Sequence, residues 1–389
     1  MRKPYAATLL TLAPLLAVPV LSTTIAPAAA ATEASAPAAK AALDTGVRLA
    51  RWQLARMTDT SLIPRATAGT RNPRGWEQAV FWIGLTDLAD AGAPADIGKA
   101  IMDMGAANGW KPADRPYHAD DHAIAQAYLW AARHGAGPVA LGPTRAVFDH
   151  VLANPARVNL AFYVPPTGYN DTECLTRWCW CDALFMSPPA LLDMARQTGD
   201  TRYRDFALKE FWATTDFLYD PAESLYYRDS RFFERRDEKQ RKMFWSRGNG
   251  WVLAGLARII PLLEPGSPDR LRMEALFREM AVKIKATQKP DGYWPPSLLA
   301  PENSPPESSG TAFYTYAIAW GVTAGLLERR DYEPVARRGW AALTRSIQPD
   351  GRLGWVQQVS DRPELVEPQD TQYYGVGAFL LAASAMARL

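Results

Sequence analysis

The sequence predicts an all-α protein, a single (α/α)6 barrel in which six helical hairpins close into a ring. Three observations carry this expectation. Nearly every periodic stretch spaces its apolar residues at the three-and-four interval of a helix, and strand-like alternation is scarce. The connections alternate between tight turns and long loops. A short motif also recurs one hairpin later, as expected of stacked helical pairs.

The helical pattern covers 38–56, 76–91, 94–107, 119–134, 142–153, 181–197, 201–218, 247–263, 268–287, 309–327, 331–345 and 371–388. Tight links such as Gly92-Ala93, Thr198-Gly199-Asp200 and Glu264 to Ser267 follow even-numbered helices. Long loops, 57–75, 108–118, 154–180, 219–246, 288–308 and 346–370, follow odd-numbered ones. If successive helices run up and down, all the long loops gather at one end, where loops of that length serve a site. The recurring motif is Gln288-Lys289-Pro290-Asp291-Gly292-Tyr293-Trp294, echoed by Gln348-Pro349-Asp350-Gly351-Arg352-Leu353-Gly354-Trp355. No polar capping repeat is evident, which favours a closed ring over an open superhelix.

The 389 residues suffice for one large domain or two ordinary ones. With 48% hydrophobic and 22% charged residues, wholesale disorder and a polytopic membrane protein are both excluded. Residues 1–30 read as a secretory signal. Met1-Arg2-Lys3 is the charged start, Leu9 to Leu21 the short apolar core, and Ala28-Ala29-Ala30 the cleavage site. That leaves 31–389 as the barrel, in the periplasm or outside the cell, with no membrane attachment after cleavage. The formal charge of +2 falls to near zero once Arg2 and Lys3 are removed, so no basic patch remains for nucleic acid.

The three cysteines lie in Cys174-x4-Cys179-x-Cys181. An oxidising compartment permits one local disulfide, using Cys174 in the simplest arrangement, and leaves one thiol over. Only four His occur, and neither a nucleotide-binding Gly loop nor a Gly-x-Ser-x-Gly elbow is found, so no cofactor and no His-rich metal site are expected.

The unusual residues sit where long loops enter even-numbered helices: Trp76, Asp120-Asp121-His122, Asp182, Trp245-Ser246-Arg247-Gly248-Asn249-Gly250-Trp251, Ser308-Ser309-Gly310-Thr311 and Asp370. Taken singly, Asp120, Asp182, Ser308 and Asp370 could each be a helix cap. Converging on one rim, they describe a pocket of carboxylates, one Arg and several indoles. Aromatic faces suit the apolar side of a pyranose, and Asp, Arg and Asn suit its hydroxyls or an acidic group. Converging helix N-termini favour an anion. A uronic acid answers both demands.

At these residues the chain resembles the unsaturated glucuronyl and rhamnogalacturonyl hydrolases of glycoside hydrolase families 88 and 105, and more closely family 105. The resemblance rests on Tyr117-His118-Ala119-Asp120-Asp121-His122, Cys181-Asp182-Ala183-Leu184-Phe185-Met186, Phe244-Trp245-Ser246-Arg247-Gly248-Asn249-Gly250-Trp251, Ser308-Ser309-Gly310-Thr311 and Tyr374-Gly375-Val376-Gly377-Ala378-Phe379-Leu380. It implies an (α/α)6 barrel that acts on oligosaccharides left by polysaccharide lyases, removing a non-reducing 4,5-unsaturated uronic acid. It places the acid/base on Asp182, a second carboxylate on Asp120 or Asp121, and sugar contacts on Trp245, Arg247 and Trp251. Trp76, His122, Asn249, Ser309 and Thr311 complete the expected substrate-binding set.

Two departures stand out. Tyr226-Tyr227-Arg228-Asp229 replaces a family His, and no His precedes Asp182 between Thr172 and Trp180. The implied reaction protonates a vinyl ether, so it needs a carboxyl that donates and then accepts a proton, and neither nucleophile nor metal. Asp182 must then be protonated, through burial and a nearby Asp120 or Asp121. Arg247 is the expected partner of the uronate carboxylate, unless it pairs with a catalytic Asp. Rival readings are a hydrolase or lyase for saturated acidic sugars, and a non-catalytic oligosaccharide-binding protein. The sequence leaves the oligomeric state and the neighbouring sugar open.

Overall fold

The computed structural model describes residues 29–162 and 173–389. The charged start and apolar core of the expected signal segment lie outside the described residues. Twelve helices follow the expected order: α1 (Ala29–Leu54), α2 (Trp76–Asp90), α3 (Ala95–Ala107), α4 (two pieces, Ala119–His122 and Ala125–Ala131), α5 (Gly142–Ala153), α6 (two pieces, Ala183–Met186 and Pro188–Thr198), α7 (Thr201–Leu218), α8 (Ser246–Ile259), α9 (Pro268–Ala286), α10 (Ser308–Thr323), α11 (Arg329–Arg345) and α12 (Tyr373–Met386).

α1 begins well before the expected residue 38 and runs through Pro37. Ala29 and Ala30, from the expected cleavage site, open it, and alanine is the strongest helix former. α6 breaks at Ser187 because Pro188 and Pro189 lack amide hydrogens to donate back to the first piece, although Ser187 itself keeps right-handed helical angles. Among the described residues the only strands are two short antiparallel ones, Tyr219–Asp220 against Leu225–Tyr226, in the loop after α7.

The even helices form the inner ring. α2 packs on α4, α4 on α6, α6 on α8, α8 on α10, α10 on α12, and α12 returns to α2. α10 and α12 are apolar on almost every side and buried along nearly their whole length, whereas α11 turns a charged face to solvent. Closure depends on two glycines. A Cβ on Gly84 of α2 would lie 2.4 Å from the Gly377 carbonyl oxygen, and one on Gly377 of α12 would lie 2.2 Å from that of Val80. Helix backbones meet here with no side chain between them.

The long loops do gather at the N-terminal end of the inner ring, where main-chain hydrogen bonds join the later ones to one another and close the last on itself. The Cys181 amide donates to the Arg228 carbonyl (2.9 Å), Leu298 to Phe244 (2.9 Å), Ser308 to Trp355 (2.7 Å) and Val356 to Asp370 (2.9 Å). The sequence echo is one turn built twice. Gly292 and Gly351 both hold positive φ (93° and 89°) and donate to the carbonyls of Lys289 and Gln348, each at 2.9 Å.

Candidate active site

A cavity of about 370 Å3 opens at the loop end, lined by Trp76, Asp120, Trp180, Asp182, Met186, Arg228, Trp245, Arg247 and a strap from Val359 to Glu364. Asp120 and Asp182 bring two carboxyls to it. Neither caps a helix with its side chain. His118 Nδ1 accepts the Asp120 amide (3.3 Å), and Asp182 precedes α6 without a side-chain capping hydrogen bond. The other two cap candidates also serve elsewhere: Ser308 Oγ donates to the Gly354 carbonyl (2.8 Å) and Asp370 accepts from the Glu367 amide (2.9 Å). Glu307 caps α10 instead, taking the amides of Ser309 and Gly310.

Burial raises the pKa of Asp182, against the opposing pull of Arg228 and Arg247 and of the thiol of Cys181, which lies 3.4 Å from Asp182 Oδ2. Asp120 is pushed up to about 7, first by burial and then by the charges of Asp182 and Asp121, while Arg115 and Arg228 pull the other way. Burial is the leading cause of the rise at both carboxyls, and their repulsion across the cavity adds to it. Two such carboxyls in one cavity retain a proton into the neutral range.

Asp121 faces away from the cavity. Its carboxylate accepts the Arg115 amide (2.7 Å) and the Arg115 guanidinium (2.5 and 3.1 Å). Of the two candidates, Asp120 lines the cavity and Asp121 does not. His122 is also structural. Its Nε2 donates to the Pro116 carbonyl (2.7 Å), which can only accept, and in the neutral ring Nδ1 then accepts from Ser187 Oγ (2.7 Å). Burial, which lowers its pKa, agrees.

Arg247, 1% exposed, is fixed on the cavity wall. Nη1 donates to the Gln357 carbonyl (2.7 Å) and Nη2 to that of Gln358 (2.9 Å), with the guanidinium against the rings of Trp245 and Tyr374 (4.4 and 4.8 Å). Its Nε has no partner. It forms no ion pair with Asp120 or Asp182, although its charge reaches Asp182. Trp245 Nε1 donates to Gln357 Oε1 (3.0 Å), and Gln357 Nε2 to the Arg362 carbonyl (2.7 Å), so one glutamine ties this wall to the strap. Trp76 stacks on Tyr374 at 5.0 Å.

Four expected contacts lie behind the wall. Trp251 is 1% exposed and packs on Phe313 and Phe185. Asn249 is spent on the backbone of Tyr226 and Trp245. Ser309 Oγ donates to Glu307 (2.6 Å) and stands 3.4 Å from Arg247 Nη1, while Thr311 accepts the Trp294 amide (3.1 Å). Sequence reading missed Trp180, Arg228 and the strap as cavity groups. The one available signal was the Tyr226-Tyr227-Arg228-Asp229 departure, which does place a cation in the pocket.

The cysteines resolve into a Cys174–Cys179 disulfide and a buried free Cys181. Among the described residues, no group of three His, Cys, Asp or Glu could hold a metal ion, and no helix is long and apolar enough to cross a membrane. A second cavity of about 350 Å3 involves residues near the opposite helix ends, and its charges are taken up within the wall: Arg258 pairs with Asp87 (2.9 Å) and Arg133 with Asp193, Asp90 accepts from Trp130 Nε1 (2.8 Å), and Arg388 donates to the Asp87 carbonyl (3.3 Å). The loop-end cavity is the one that holds Asp120 and Asp182.

Residues 46–389 match the family model described as Glycosyl Hydrolase Family 88. The chain belongs to glycosyl hydrolase family 88. Within this family 88 chain, 348 residues are 41% identical to an unsaturated 3S-rhamnoglycuronyl hydrolase of Alteromonas sp. (strain LOR), covering 88% of this chain and 84% of that protein. A protein of the same name from Formosa agariphila is 37% identical over 82% of this chain and 85% of its own. A solved glycosyl hydrolase family 88 structure from Bacteroides vulgatus superposes with a TM-score of 0.77 at 26% identity, covering 90% and 99% of the two chains. The expected leaning to family 105 finds likeness in fold: a possible member of that family from Salmonella enterica gives a TM-score of 0.70 at 17% identity, over 90% and 93%. The family 88 enzyme is a glycosidase on an (α/α)6 barrel.

Proposed function

We propose that this glycosidase removes a 4,5-unsaturated uronic acid from the non-reducing end of lyase-generated oligosaccharides, with rhamnose as the neighbouring sugar. The observation that carries the reading is Asp182, a buried carboxyl with a raised pKa in a cavity that also holds Asp120, three guanidinium groups and three indoles. Rhamnose is the sugar named in both close relatives. Kinship with family 105 belongs to the same reading and rests on fold and shared motifs.

Asp182 gives its proton to C4 of the vinyl ether, and the C4=C5 electron pair forms the new C–H bond. The positive charge at C5 is shared with the ring oxygen. Water adds to C5 as its proton passes to the Asp182 carboxylate, restoring the acid. The hemiketal opens by breaking the bond between C5 and the ring oxygen, and the hemiacetal left at C1 releases the neighbouring sugar. Asp120 keeps a proton in the pair and orients the sugar. Arg247, held on the cavity wall, supplies a fixed cation for the uronate carboxylate. Trp76, Trp180 and Trp245 supply faces and edges for the ring.

Export is part of the proposal. It is supported by the charged and apolar start of the sequence and by a disulfide suited to an oxidising compartment. Incubation with unsaturated uronyl-rhamnose oligosaccharides should abolish the ultraviolet absorbance of the conjugated double bond while free rhamnose-ended product appears. Binding without loss of absorbance would instead indicate a sugar-binding protein.

A further inference from the structure

Arg228 stands in the cavity with an unusual division of its guanidinium. Nη1 donates to Asp229 Oδ2 (2.8 Å), while Nε has no partner and lies 3.7 Å from Asp182 Oδ2. That separation is just beyond a hydrogen bond, and a movement of under about 1 Å closes it. The main chain fixes the approach, because the Arg228 carbonyl accepts the amide of Cys181, the residue before Asp182. Asp229 is fully buried and holds Arg231 as well, its Oδ2 lying 2.6 Å from Arg231 Nη2, so the anchor of Arg228 is itself anchored.

We propose that Arg228 is a positioning residue for proton transfer, its free Nε–H closing on the carboxylate that remains on Asp182 once the proton has moved to the sugar. The inference rests on the acid/base reading of Asp182 given above. In the first step the Asp182 O–H bond breaks and the C4–H bond forms, leaving a negative charge in a side chain only 11% exposed. Such a charge is costly without a partner. Arg228 supplies one that is absent from the protonated ground state at hydrogen-bond distance, so the gain appears as charge develops. When water adds at C5 and returns its proton, Nε is released again.

The charged and titratable groups around Asp182 are Asp120 and its neighbour His118 from the start of α4, Cys181 beside it, Arg228 and Asp229 from the loop after α7, Arg247 from α8, and Asp361, Arg362 and Glu364 from the strap. Arg247 is held by two backbone carbonyls, which leaves Arg228 the cation nearer to hand. Its charge is also the largest influence opposing the rise of Asp182.

The test compares Arg228→Gln, Arg228→Lys and Asp182→Asn by kcat and KM across pH on an unsaturated uronyl-rhamnose disaccharide, with thermal melts to verify folding. Asp182→Asn should be inactive at every pH. Arg228→Gln should move the alkaline limb of kcat up by about one pH unit and lower the plateau up to about tenfold, with KM nearly unchanged. Arg228→Lys should return the limb most of the way and gives a reading even if the Gln variant folds poorly. A rise in KM with the limb unmoved would overturn the proposal and make Arg228 a substrate-anion contact. Should Asp182→Asn remain active, the acid/base reading itself falls, whatever Arg228 does.

Discussion

Arg115 grips Asp121 from two directions, its amide on Oδ2 at 2.7 Å and its guanidinium on Oδ1 at 2.5 Å. That grip turns the carboxylate out of the cavity that its sequence neighbour Asp120 enters. The two aspartates should therefore fail in different ways. Asp120→Asn should keep the melting temperature, lower kcat by about tenfold or more and flatten the acidic limb of the pH profile. Asp121→Asn should leave the profile shape intact and cost about 1–3 kcal/mol of stability in denaturant unfolding. Exchange of these two outcomes would reverse the assignment.

Arg247→Lys should raise KM for unsaturated uronides about tenfold or more, since an ammonium cannot span two carbonyls and still supply a fixed cation for a carboxylate. A carboxyl-reduced analogue should suffer little of that penalty, and the pH optimum should stay near its wild-type value. Equal penalties for the acidic and reduced substrates, with a displaced optimum, would assign Arg247 to the aspartate pair.

Gly377→Ala should prevent ring closure more severely than an ordinary core substitution, because its Cβ would meet the Val80 carbonyl at 2.2 Å. A loss of about 3 kcal/mol or more, or failure to accumulate as soluble protein, is expected. A melting temperature within a few degrees of wild type would show that α2 and α12 can part without cost.

The ring was legible because helix period and loop length are local properties: a buried inner helix such as α12 and a charged outer one such as α11 both show them. Asp182, Trp76, Trp245 and Arg247 were legible because polar and indole groups cluster where loops enter helices. Depth was not legible. Asn249, Ser309, Thr311 and His122 are of the same residue types as cavity groups, yet each is consumed by a backbone or side-chain partner within the wall. Arg228 and the strap residues Asp361 and Arg362 lie on aperiodic loops, whose place is set by contacts far away in sequence, such as Gln357 to Trp245.

Glu77 allows a test of electrostatics away from the chemistry. It is 2% exposed, Oε2 has no partner, and burial pushes its pKa up to about 7, with Thr70 opposing. A carboxyl raised in the fold binds its proton more tightly there than in the unfolded chain. The stabilisation is full below the ordinary Glu range and is lost as pH rises to about 7. Glu77→Gln should therefore melt higher than wild type above pH 7, by up to roughly 3 kcal/mol, and match it near pH 4. A wild-type melting temperature that climbs between these values while the variant stays level would contradict the assignment.

The central claim is that the C4=C5 double bond is the group attacked. Its most direct test offers the enzyme two uronyl-rhamnose disaccharides that differ only in that bond and measures rhamnose release from each. The account predicts release from the unsaturated disaccharide in step with loss of its ultraviolet absorbance, and none from the saturated one. Release of rhamnose from the saturated disaccharide at a comparable rate would place the attack at the anomeric carbon and contradict it.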